Sequence, residues 1–327
     1  MKLKKSIKVI LIIILIGLIG YGCYFGYNYF VELQEERERI AEEERQEELR
    51  RLYNACLREE LKDREITAEI IAEKNRMNNY FRTYMVGVAY KDLITGFSFA
   101  FQEDEVFYGA SLIKLLTGLY IYEKAFNENL DLEETVEYLQ RHRSGASLKM
   151  REYSFGDEVS LRDLVNYSIS VSDNTAHFML MDYIGFRNLQ QYGKGMGAQH
   201  TLVGVDNYGS MSAADAQIYL VNLYEFITKS GALGEELKSF MDNDYFNFLG
   251  LENRNITVFR KYGLHDIFFH NIGLIYNGSP YAVSILTHHG RRNYESVIKN
   301  IHARINDLHN MFFENRENSC RIRIYGE

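Results

Sequence analysis

The chain has 327 residues, with 45 acidic against 37 basic side chains and a formal net charge of −8. That balance, without a basic patch in the globular part, excludes a general nucleic-acid binder. The three cysteines, Cys23, Cys56 and Cys320, fall near the ends, so no disulfide framework is expected to hold the fold, and the nine histidines show no ligand spacing, so no metal or cofactor is expected.

At the N-terminus Lys2, Lys4, Lys5 and Lys8 precede an apolar run from Val9 to Phe30. The run is long enough for the ~20 helical residues that cross a bilayer. The basic flank should stay cytoplasmic, and Tyr21, Tyr24, Tyr27 and Tyr29 cluster where an outer interfacial belt would lie. No small-residue cleavage site follows, so residues 9–30 read as a single-pass signal anchor that puts the rest of the chain on the extracellular side. Gly20-Tyr21-Gly22 ahead of Cys23 does not match a lipobox.

Residues 31–65 read as a solvated helical stalk, rich in Glu, Arg, Gln and Leu with opposite charges three or four apart. Leu33, Ile40, Leu49 and Leu52 keep no clean heptad, which favours a single helix over a dimeric coiled coil. At 1.5 Å per residue such a spacer reaches on the order of 45–50 Å. Residues 66–316, roughly 250 and enough for a real core, form the expected globular domain, and 317–327 a loose tail.

Within that domain the pattern is α+β. A helix is expected over Ile66–Tyr80, then a hairpin of Met85–Tyr90 and Phe97–Phe101 around Thr95-Gly96. Helices dominate from Ser111 to about Ile227, beginning where Leu112, Leu115, Leu116, Leu119 and Tyr120 recur at helical spacing. Val258–Tyr262, Ile267–Tyr276 and Tyr281–Thr287 read as strands, with Asn277-Gly278 as a hairpin turn and Tyr294–Phe313 as a closing helix.

Three short motifs carry chemistry. In Ser111-Leu112-Ile113-Lys114 the lysine shares a helix face with the serine and is expected to touch it, as a base must to activate a weak nucleophile. Ser111 at the helix start would also offer its N–H to a developing oxyanion. Such a pattern arises by chance about once in a chain this long. Ser296-Val297-Ile298-Lys299 repeats it, but lies in the closing helix and reads as helix surface. Ser172-Asp173-Asn174 is far less accidental, and Lys261-Tyr262-Gly263 follows in order.

In these motifs the chain resembles the class A β-lactamases and related penicillin-binding peptidases, which carry Ser-x-x-Lys, Ser-Asp-Asn and Lys-Thr-Gly. Leu161-Arg162-Asp163-Leu164-Val165, Thr175-Ala176 and Ser212-Ala213-Ala214-Asp215 add to the likeness, which covers roughly Ile66 to Arg316. The resemblance implies a β-lactamase/transpeptidase-like fold with a five-stranded antiparallel sheet and a helical subdomain. It implies that Ser111 attacks a carbonyl of a β-lactam or D-Ala-D-Ala-like peptide, Lys114 takes its proton and Ser172 protonates the leaving nitrogen. Asn174 would hold Lys114 and a substrate amide, Lys261 would poise Ser172 and attract the substrate carboxylate, and the Leu264 N–H would complete the oxyanion hole. Mutual repulsion of the two lysines would lower the Lys114 pKa.

The chain departs from the family in two places. Tyr262 and Gly263 line the substrate position, and Tyr262 stands where a small hydroxyl residue normally binds the carboxylate. From Val159 to Tyr224 there is no glutamate, only Asp163, Asp173, Asp182, Asp206 and Asp215, so the base that class A enzymes use for deacylation is missing or replaced, with Asp206 the sole acidic candidate. Loss of a general base costs ~10²–10⁴-fold in rate, which points toward slow release and a low-molecular-weight D,D-peptidase as the alternative. A non-catalytic wall-binding or sensor module is a further alternative. His270 beside Asn271 resembles a family His-Asp position and is expected to be structural.

Overall fold

The computed structural model describes residues 2–62, 68–202, 208–242, 246, 248–250, 256–288, 293–313 and 317–326. The chain divides into two compact units, Met1–Glu59 with Asn318–Glu327, and Glu60–Glu317. Its elements begin with α1 (Lys2–Lys62), α2 (Ala68–Phe81), β1 (Val86–Asp92), β2 (Ser98–Phe101), β3 (Phe107–Tyr108) and α3 (Ile113–Glu128). There follow β4 (Thr135–Glu137), β5 (Glu158–Ser160), α4 (Leu161–Ser170), α5 (Asn174–Ile184), α6 (Phe186–Gly195), β6 (Ser210–Met211), α7 (Ala213–Lys229) and α8 (Ala232–Ser239). The chain closes with β7 (Thr257–His265), β8 (Phe268–Asn277), β9 (Ser279–His288), α9 (Tyr294–Phe313) and α10 (Glu317–Tyr325).

In the first unit α1 is laced by ion pairs one turn apart, with Arg39 bridging Glu36 and Glu43 and Arg51 meeting Glu47. Exposed pairs of this kind contribute little, so they describe a solvated helix more than a stability source. Residues 9–30 fall within α1. The side chains of residues 2–20, 22, 23 and 25 lie outside the described set, and among the described residues no helix is long and apolar enough to cross a membrane.

The ends of the chain differ from the sequence reading. Cys56 and Cys320 form a disulfide with Cα atoms 5.9 Å apart, and the tail read as loose is helix α10. Both cysteines are buried, and Tyr53 of α1 meets Tyr325 of α10 with ring centroids 5.6 Å apart. Helix pairing brings together residues separated by 264 positions, a relation that cysteine spacing alone does not reveal.

The second unit is built on one antiparallel sheet in the order β2-β1-β9-β8-β7. Glycines at left-handed φ close two of the sheet's three hairpin turns, Gly96 at 78° and Gly278 at 66°, and Asp266 at 50° stands in the β7–β8 turn. Strand alternation then splits the core. Ala282 and Leu286 of β9 and Ile272 and Leu274 of β8 join the α3, α4, α5 and α7 side, while Tyr281, Val283 and Ile285 join the α2 and α9 side. Burial of more than twenty apolar side chains in each of the two clusters is the main driving force, at roughly 1.5–3 kcal/mol per large residue. The helices start where side chains cap them: Ser160 accepts from the Asp163 N–H at α4, and Ser212 with Asp215 forms a capping box at α7. Ser296 and Lys299 sit on α9, where Lys299 pairs with Glu295, as helix-surface residues do.

A polar network runs through the α9 side of the core. Tyr90 Oη lies 2.8 Å from His309 Nδ1, Tyr281 Oη 3.0 Å from His302 Nε2, and His309 Nε2 is 3.2 Å from the Asn277 carbonyl. Burial lowers His302 to about 3 and His309 to about 4. Unfolded histidine titrates near 6.5, so the unfolded chain takes up these protons first and the stabilisation, whole above about pH 6.5, is lost as pH falls toward 4. Thermal melts should therefore show a melting temperature that drops steadily from pH 6.5 to 4. His309→Gln should lower stability at pH 7.5 and flatten that slope, with each histidine responsible for roughly 2–4 kcal/mol across the window.

Candidate active site

The three motifs come from three parts of the fold and converge at the β7 edge of the sheet. Ser111 lies in a 3₁₀ turn, Ala110–Leu112, that runs directly into α3, and this turn packs against β7. Two glycines permit the approach. A Cβ on Gly263 would come within 3.1 Å of Leu112 Cγ and 3.3 Å of the Gly109 carbonyl, and one on Gly109 within 2.9 Å of the Tyr208 carbonyl. Ala110, just before the nucleophile, holds φ at 46°, a left-handed conformation that costs a non-glycine residue about 1–2 kcal/mol. Neighbours fix it: the Gly109 N–H donates to the Gly209 carbonyl at 2.8 Å, and the Leu112 N–H to the Gly109 carbonyl at 3.2 Å.

The Ser172-Asp173-Asn174 turn leads into α5. Ser172 sits at φ 57°, and Asp173 is the N-cap. Its carboxylate is 1% exposed, yet Oδ1 accepts from the Thr175 and Ala176 N–H groups while Oδ2 accepts from those of Leu148, Lys149 and Met150 at 2.8–3.0 Å. Asp173 is thus a buried staple that locks the 148–150 segment to the start of α5. The sequence reading missed this role, although an Asp directly ahead of a helical pattern is an N-cap signal.

Lys114 and Lys261 both turn toward Ser172. Lys114 Nζ donates to the Ser172 carbonyl at 2.7 Å, Ser172 Oγ at 3.2 Å and Asn174 Oδ1 at 2.6 Å. Lys261 Nζ donates to Ser172 Oγ at 3.0 Å and the Tyr262 carbonyl at 3.1 Å. Ser172 Oγ therefore lies between two ammonium groups and keeps its own proton for an outside acceptor. Among the described residues no hydrogen bond joins Ser111 to Lys114. Ser111 belongs to the tighter 3₁₀ turn, out of phase with α3, and a buried ammonium finds three acceptors on the Ser172 turn.

Electrostatics follow from burial. Lys114 is fully buried and its pKa falls to about 7, chiefly by desolvation, with Asp173 pulling the other way. Burial also drives Lys261 well below the usual lysine range, with repulsion from Lys114 second. The sequence reading had put repulsion first; the missing water matters more. The Tyr208 ring centroid lies 5.8 Å from Lys114 Nζ, a neighbour that no motif announced.

His270 supports the site from below. Its Nε2 lies 2.8 Å from the Tyr108 carbonyl and its Nδ1 accepts from the Thr287 N–H at 3.1 Å, so the ring is neutral with its proton on Nε2. Burial holds its pKa at about 4. It ties β8 and β9 to the strand just ahead of the Ser111 turn.

Residues 70–308 match the model of the β-lactamase enzyme family. The chain belongs to that family. It is a serine hydrolase by that membership. No curated protein matches it. Among solved structures, PBP-A is similar at 16% identity and TM-score 0.67, covering 73% of this chain and 96% of its own. A mutant of PBP-A, solved as an acyl-enzyme complex with penicillin G, matches with the same identity and score over 74% and 97%. A β-lactamase from Chitinophaga pinensis is 19% identical with TM-score 0.65 over 74% of this chain and all of its own. These likenesses establish the β-lactamase/transpeptidase-like fold.

Asp206 and Asn207 lie outside the described residues. Of the other carboxylates between Val159 and Tyr224, Asp173 is the staple, Asp182 pairs with Arg141 and His142, and Asp215 caps α7 and receives the Gln199 and His200 N–H groups. Asp163 stands in the first turn of α4.

Replacing Asp173 by Ala should remove the carboxylate acceptor of five backbone N–H groups, of which that of Thr175 keeps Ser147 Oγ, and lower stability by about 3–5 kcal/mol, read as a fall in thermal or denaturant midpoint. Asp173→Asn, which retains one acceptor oxygen, should cost less.

Proposed function

We propose that this β-lactamase-family enzyme is acylated at Ser111 by β-lactams or D-Ala-D-Ala-like peptides. The observation that carries the reading is the convergence of Lys114, Lys261 and Asn174 on Ser172 beside the Ser111 turn. Ser111 Oγ adds to the substrate carbonyl while its proton passes to Lys114, whose pKa near 7 makes it an effective base. The Ser111–acyl bond forms, the C–N bond breaks, and the leaving nitrogen takes the Ser172 proton, which Lys114 restores through its bond to Ser172 Oγ. Helix-start and β7-edge N–H groups of Ser111 and Leu264 would hold the oxyanion. Tyr262 and Gly263 line the substrate side of β7.

The absence of glutamate between Val159 and Tyr224 bears on release. It supports a second reading within the same chemistry, a D,D-peptidase that binds penicillin and deacylates slowly. The solved penicillin G complex of a mutant with this fold supports acylation by β-lactams in general. Two buried lysines held by hydrogen bonds are expensive to maintain, which speaks against a purely non-catalytic module.

The chain is further proposed to be anchored by residues 9–30 with the hydrolase unit on the extracellular side. The basic residues before an apolar run support this, as does the Cys56–Cys320 bond, since disulfides persist in oxidising compartments.

Intact-mass spectrometry of the full chain in detergent, mixed with a fluorescent penicillin, tests the function. A single adduct on Ser111 is expected, absent in Ser111→Ala. Rapid disappearance marks a working β-lactamase, persistence marks the penicillin-binding peptidase, and no adduct from either a penicillin or its methyl ester refutes the serine reading. The rate of adduct formation should rise with pH through about 7, because Lys114 accepts a proton only in its neutral form, which predominates above its pKa.

A further inference from the structure

The third motif departs from its family where it meets substrate, and the local geometry gives the departure a meaning. An ammonium has three N–H donors. Two from Lys261 go to Ser172 Oγ and the Tyr262 carbonyl, and the Tyr262 ring lies against the ammonium with its centroid 4.2 Å from Nζ. The lysine is 1% exposed. At that distance the ring face is a cation–π partner of the ammonium.

Among the described residues the surroundings offer no replacement cation. Opposite Tyr262 on β8 stands Asn271, neutral and fully buried, with Nδ2 donating to the His270 carbonyl. Arg260, two residues back on β7, is 2% exposed and so out of reach of a ligand. What reaches the surface here is aromatic: Phe246 packs on the Tyr262 ring with centroids 4.9 Å apart and is 41% exposed.

We propose that Tyr262 is a specificity-determining residue whose ring seals the Lys261 ammonium from substrate, so that the site selects acyl donors with an uncharged, partly apolar leaving side instead of a free carboxylate. The proposal rests on Ser111 being the nucleophile. It leaves Lys261 its bond to Ser172 and removes only its contact with a substrate anion. The donors it predicts are amides and esters whose carboxyl terminus is blocked or extended.

The test compares acylation of the full chain by penicillin G and by its methyl ester, followed by intact mass, in the parent, Tyr262→Thr and Tyr262→Phe. The parent should react with the ester at least as fast as with the acid. Tyr262→Thr should shift the ratio toward the acid by about ten-fold or more, because a carboxylate then gains a hydroxyl and an ammonium donor. Tyr262→Phe keeps the ring and should keep the parent ratio. A parent that prefers the acid by about ten-fold, as expected where a buried donor awaits an anion, overturns the proposal and leaves Ser111 in place. So does an unchanged ratio in Tyr262→Thr. If that variant fails to fold, the parent ratio alone decides. No Ser111 adduct from either compound overturns the nucleophile assignment and the proposal together.

Discussion

Two lysine side chains buried around one serine hydroxyl are the constraint on which the rest of the site depends. Taking an ammonium out of water costs several kcal/mol unless its hydrogens find acceptors. Here the acceptors are a backbone carbonyl, a hydroxyl and an amide oxygen for Lys114, and the same hydroxyl with a second carbonyl for Lys261. All but one of them belong to a three-residue turn. The turn must stay where it is for either lysine to stay buried, and the buried Asp173 carboxylate holds it there through five backbone N–H groups. The unusual lysine basicity is thus a property of packing and of a capped helix as much as of the lysines themselves.

The same logic accounts for the positions of small residues. The Ser111 turn lies close against β7 where Gly263 lacks a Cβ atom, and against the Tyr208–Gly209 segment where Gly109 lacks one. His270 then fastens the carbonyl of Tyr108, three residues ahead of the nucleophile, to the sheet. Nucleophile, base and proton donor are each carried by a different element, and each is pinned to the sheet or to α5 by groups that take no part in acyl transfer.

Much of this was legible in the sequence. The Thr95-Gly96 and Asn277-Gly278 turns, the strand alternation of 281–287 and the apolar period of Tyr294–Phe313 place the sheet and closing helix correctly because each is a local pattern. The β3–β6 and β4–β5 ribbons escaped notice, since two or three residues carry no period. The bonds from Lys114 to the Ser172 turn were not legible, because they join residues 58 and 60 positions apart. The motifs gave the residue types around Ser172 but not the Tyr262 ring over its neighbouring ammonium, a contact set by three-dimensional packing.

The Cys56–Cys320 bond turns the chain into a covalent loop, because the whole segment 60–317 lies between its two ends. A chain closed in this way answers a protease differently from a linear one. One cut anywhere between the cysteines opens the loop but frees no fragment, and both new ends stay attached to residues 1–56. After such a cut, release takes either a second cut or reduction of the disulfide, so loss of a fragment from between the cysteines becomes a two-event process.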